Sequence, residues 1–101
     1  MTDPFQPLDD DAMVALEELL QASGLAREEL LELVEFGVLE PAVSGDRWLF
    51  LSGCVLQARR AARLRDDFGL NPAGMALALA YLERIDELER RLRALECQLL
   101  R

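Results

Sequence analysis

The chain has 101 residues, no histidine, no lysine and a net charge of −8. That length holds one small domain with an appendage, whose modest core would gain stability from dimerisation. Without histidine, and with no nucleophile and base that can be paired, it is not expected to be an enzyme. Its two cysteines, Cys54 and Cys97, cannot build a Cys/His metal site, so neither metal nor cofactor is expected.

Residues 1–11 carry two prolines and Asp3, Asp9, Asp10 and Asp11, with Phe5 and Leu8 their only large apolar side chains. A loose acidic arm is expected there. It does not read as a signal peptide, and no stretch of about 18 residues is both apolar and uncharged. A cytoplasmic protein is expected, with no membrane span. Met13–Leu16 fits an edge strand with Val14 and Leu16 pointing inward, although so short a run also fits a helix.

Glu17 to Ser23 reads as a short helix ended by Gly24, with Leu25 anchoring the turn. A second helix follows from about Ala26 to Phe36, closed by Gly37. Leu30, Leu31 and Val34 form its expected inner face, and Glu28, Glu29, Glu32 and Glu35 its outer one. Two short helices joined by a glycine-containing turn match a helix-turn-helix. Val38–Val43 and Arg47–Leu51, around Ser44-Gly45-Asp46, suggest a two-stranded wing. At least one of Trp48 and Phe50 should pack on the helices. A third helix is expected from a Ser52 cap to about Phe68, with Val55, Leu56, Ala58, Ala62, Leu64 and Phe68 as apolar members. Asp66 and Asp67 stand at its C-terminus, where the helix dipole disfavours anions, a local cost that suggests a use. Gly69 stops it.

From Asn71-Pro72 the chain reads as one long helix. Ala78, Tyr81, Ile85, Leu88, Leu92, Leu95 and Leu99 are spaced alternately three and four apart, an a/d seam with charges between its members. Self-association through this seam is the functional reading; a last helix folded back on its own domain is the bland one. The expected organisation is therefore an arm over 1–11, a winged helix-turn-helix-like domain over 12–70 and a coiled-coil-like helix over 71–101.

The order of elements resembles the MerR-like winged helix-turn-helix. Ala22-Ser23-Gly24-Leu25, Glu35–Pro41, Trp48-Leu49-Phe50 and Arg63–Leu70 carry the resemblance. Within that group Gly24–Pro41, Trp48–Phe50 and Gln57–Leu88 are similar to the CbpM family of chaperone modulatory proteins, and the resemblance covers all but the acidic arm and the last turns. The resemblance implies a mainly helical fold. It also implies an inhibitor that binds the J-domain of a CbpA/DnaJ-like co-chaperone and suppresses its co-chaperone and DNA-binding activities. The seam adds the expectation of a homodimer, and acids that mask a basic J-domain helix that of competition with Hsp70.

Charge agrees independently. Residues 1–46 sum to −11 and residues 47–101 to +3. A DNA-reading second helix needs cations to reach phosphates and base edges. Here that helix carries Arg27 against four glutamates. Nucleic acid and anionic membrane are therefore not expected partners, whereas a basic protein surface is. Glu28, Glu29, Glu32, Glu35, Asp66 and Asp67 are the candidate partner-binding residues, and Tyr81, Ile85, Leu88, Leu92, Leu95 and Leu99 the candidate dimerisation residues. The bland reading of the acids is a solubilising face. Arg59, Arg60 and Arg63 form a stripe expected to pair within the molecule or between subunits. A MerR-like transcriptional regulator using that stripe and the wing is the alternative function, and an oligomerisation scaffold a third.

Overall fold

The computed structural model describes residues 12–100. The arm expected over 1–11 lies outside the described residues. The chain runs β1 (Met13–Ala15), α1 (Leu16–Ser23), α2 (Arg27–Glu35), β2 (Leu49–Leu51), α3 (Gly53–Phe68) and α4 (Pro72–Leu99). This is a mainly helical arrangement with one small two-stranded antiparallel sheet.

Local chemistry sets the helix ends. Gly24 and Gly69 adopt left-handed backbone (φ 83° and 67°) after α1 and α3, a region that L side chains rarely adopt. At the starts of α1 and α2 the cap residue is alanine, which offers no side-chain acceptor. A glutamate three residues on reaches back instead: Ala15 N–H donates to Glu18 Oε1 at 3.1 Å, and Ala26 N–H to Glu29 Oε1 at 2.9 Å. For α4, Asn71 Oδ1 accepts the Gly74 N–H at 2.8 Å, with Pro72 at the first helical position. Asn71→Ala is expected to destabilise the fold by about 1 kcal/mol, read as a lowered urea midpoint at unchanged slope.

One core joins every element. Leu19, Leu30, Leu33, Leu39, Phe50, Met75 and Leu79 are fully buried, and Leu25 seals the turn between α1 and α2. The second helix turns its Leu30–Leu33 pair inward, with Leu31 and Val34 only half-buried. That corrects the expected inner face, which omitted Leu33. On α3 the inner face is alanine: Ala58, Ala61 and Ala62 are buried, whereas Leu56 and Phe68, expected among the packing residues, stand exposed. Small side chains there let α1 and α4 approach α3 closely.

The wing differs from the hairpin expected between Val38–Val43 and Arg47–Leu51. β2 pairs antiparallel with β1, with Val14 opposite Phe50, and Val43 touches β2 only through an isolated bridge to Leu49. Pro41 lacks the N–H that a longer ladder would need, and Leu39 is drawn into the core instead of a strand. β1 ends at Ala15, so Leu16 opens α1 rather than closing the strand. Trp48 is half-buried, edge-on to Phe50 at 6.2 Å between ring centroids.

Candidate partner-binding site

The acidic residues of α2 divide into two kinds. Glu29 is engaged: besides capping Ala26 it meets Arg65 Nη1 at 2.6 Å, tying the start of α2 to the end of α3. Glu28, Glu32 and Glu35 are exposed. Glu28 and Glu32 are one turn apart and line up with Phe36, one turn further on, so the three share a face. The basic residue of this helix, Arg27, pairs with Glu17 of α1 at 3.0 Å. Its hydrogen bond holds the Glu17 carboxyl below the usual carboxylate range.

Asp66 sits at the opposite end of that acidic face. Arg65 Nε donates to Asp66 Oδ1 at 2.9 Å, so a single guanidinium holds both Asp66 and Glu29. These two carboxylates, Asp66 foremost, push the Arg65 pKa up. Asp67 is exposed.

Arg59, Arg60 and Arg65 of α3 are engaged within the molecule, whereas Arg63 of the expected stripe stands exposed. Arg59 Nε donates to the Ala22 carbonyl at 3.0 Å, and Arg65 Nη1 to the Gly24 carbonyl at 3.3 Å. Both carbonyls lie where α1 has run out of its own donors. Arg60 faces Asp86 of α4 at 3.6 Å. What remains for a partner to see along the helix-turn-helix is negative.

α4 presents two opposed faces. Met75, Ala76 and Leu79 enter the core, and Leu82 and Asp86 continue that side. At 100° per residue the a/d seam points away from it. Tyr81, Ile85, Leu88, Leu92, Leu95 and Leu99 are all exposed, from 46% at Leu88 to 83% at Leu99. Arg84 and Arg91 both meet Glu87, at 3.2 and 2.7 Å, across the middle turns of the exposed helix.

A groove of about 700 Å³ opens between the start of α4 and the loop after α2. Val38, Leu51, Cys54 and Ala76 line it, Phe36 and Leu77 stand exposed beside them, and Glu40 and Glu83 supply its charges. Sequence reasoning does not single out this groove. Glu40 and Glu83 lie far apart in the chain and belong to no periodic pattern, and Leu77 falls one place outside the seam. Burial raises the Cys54 thiol pKa, whereas Cys97 is exposed at the far end of α4. Among the described residues no helix is long and apolar enough to cross a membrane.

A family model described as MerR HTH family regulatory protein matches residues 14–97. The chain is similar to the chaperone modulatory protein CbpM of Coxiella burnetii, with 42% identity over 82 residues, spanning 80% of this chain and 77% of that protein. It is 37% identical over 71 residues to the protein of the same name from Pseudomonas putida, covering 69% and 70% of the two chains. To that from Escherichia coli it is 35% identical over 80 residues, covering 78% and 79%.

Proposed function

Because the chain belongs to the CbpM family of chaperone modulatory proteins, on a MerR-type helix-turn-helix frame, we propose that it is a non-catalytic inhibitor of a co-chaperone. It binds the J-domain of a CbpA/DnaJ-like protein in the cytoplasm, and so withholds that J-domain from Hsp70. The protein acts as a homodimer joined through the α4 seam.

One observation carries this reading. The helix that a regulator would lay in the major groove offers Glu28, Glu32 and Glu35 to solvent, while its Arg27 is held by Glu17. Held against phosphate, that face is repelled and releases no counterions. Against a cationic helix the same face steers association and sets orientation. Asp66, held with Glu29 by Arg65, adds a carboxylate beside the start of α2, and Asp67 follows it exposed.

Calorimetric titration with a co-chaperone J-domain, and in parallel with duplex DNA, tests the proposal. Saturable J-domain binding without a DNA signal is expected. Glu28→Arg with Glu32→Arg is expected to weaken that binding by at least about tenfold, and Asp66→Arg with Asp67→Arg by a smaller factor. These positions are exposed, so each pair should leave the fold intact. DNA binding without J-domain binding would assign the molecule to transcription; intact binding by both charge-reversed pairs would move the contact off this surface.

A further inference from the structure

Three features meet at the groove beside the start of α4. Its walls are apolar, and two of its apolar side chains are poorly covered: Leu77 is 59% exposed and Phe36 54%. Its charged lining residues, Glu40 and Glu83, are both carboxylates, with no base among them. The acidic face of α2 leads into it, since Glu28, Glu32 and Phe36 follow one another at four-residue intervals along that helix. Apolar walls with a rim of one charge sign select an occupant with an apolar anchor and flanking charges of the opposite sign.

The chain's own first residues are poorly matched to it. The Ala12 carbonyl accepts the Ser52 N–H and Met13 pairs with Leu51, a wall residue of the groove, and the acidic arm comes before them in the sequence. But its sequence carries Asp3, Asp9, Asp10 and Asp11, the same sign as Glu40 and Glu83. A second copy laid along the seam would lie against α4, leaving the acidic track on α2 uncovered.

We infer that this groove takes an apolar side chain from the cationic helix of the J-domain, whose basic residues lie along Glu28 and Glu32 and close over Glu40 and Glu83. The inference rests on the proposed J-domain binding and adds to it an anchoring pocket. The nine residues of α2 span about 13 Å, room for two to three turns of a partner helix laid beside it. The charge supplies orientation and the pocket supplies residence time.

Cys54 reports on the pocket directly. In a Cys97→Ser variant it is the single thiol, and its half-buried place in the groove makes a disulfide reagent such as DTNB react slowly. With a saturating J-domain, labelling is expected to slow further by about tenfold or more, because a filled groove leaves the reagent no approach. Glu40→Arg with Glu83→Arg is expected to weaken J-domain binding by at least about tenfold while sedimentation shows unchanged self-association, and Val38→Asp to weaken it likewise. J-domain binding to the wild type with unchanged Cys54 labelling and undiminished binding by these variants would overturn the pocket but leave the proposed function standing. Cys54 protection that rises with protein concentration in the absence of J-domain would give the groove to a second copy and overturn it too. Absence of wild-type J-domain binding would remove both.

Discussion

Phe50→Ala is expected to remove roughly half of the protein's folding stability. Phe50 is fully buried at the centre of β2, paired across the ladder with Val14 and meeting Trp48 edge-on. Truncation removes the transfer free energy of the ring and leaves a cavity that one short ladder cannot close, about 3–5 kcal/mol together. A domain of this size has of the order of 5–10 kcal/mol in total. Each kcal/mol moves the midpoint of a domain of this size by about 4–8 °C, so the thermal transition should fall by about 12 °C or more. Phe68→Ala supplies the comparison, because Phe68 is 71% exposed at the end of α3. The same deletion there should change stability by about 0.5 kcal/mol or less. Circular dichroism melts of both variants at one protein concentration decide the matter. Equal losses would mean that the core is not organised around β2.

Helix-scale features were legible in the sequence because they rest on local chemistry. Gly24 and Gly69 mark ends that need left-handed backbone, and Asn71-Pro72 marks a start that needs an acceptor and no donor. What escaped depends on contacts between distant segments. The partner of β2 is β1, thirty-odd residues upstream, rather than the nearer Val38–Val43 run, and no local pattern announces that. The inner face of α3 was hard to read for a different reason. Hydrophobicity favours Leu56 and Phe68, but the close approach of α1 and α4 favours Ala58, Ala61 and Ala62.

The candidate site divides along the same line. Glu28, Glu29, Glu32 and Glu35 are visible as a dense run of one sign, yet only the folded chain separates Glu29, held by Ala26 N–H and Arg65, from its exposed neighbours. Likewise the spacing of the α4 seam is plain in the sequence. That this seam faces away from its own domain follows only once Met75, Ala76 and Leu79 are seen to fill the core from the other side.

That opposition underlies the second large effect. Leu88→Arg with Leu92→Arg is expected to abolish self-association while leaving the helix-turn-helix folded. In the single chain both leucines are about half exposed, so their replacement removes little from the core. In a seam-paired dimer four leucine side chains are lost, each contributing roughly 1 kcal/mol by burial of the half that the single chain leaves exposed. At about 1.4 kcal/mol per tenfold, the dissociation constant should rise by about a thousandfold, visible as a monomer by sedimentation equilibrium. The helix itself should respond as well. The 28 residues of α4 span about 42 Å, and the last turns have no side chain buried among the described residues. Ion pairs such as Arg91–Glu87 contribute only about 0.2–0.5 kcal/mol each on a helix surface, too little to hold isolated turns in water. Amides beyond about residue 88 should therefore exchange fast in the double variant and slowly in the wild type, whereas amides of Met75–Leu79 stay protected in both. Fast exchange of the distal amides in the wild type, with monomeric sedimentation, would mean that the exposed leucines serve a different partner and that the dimer proposed here does not form.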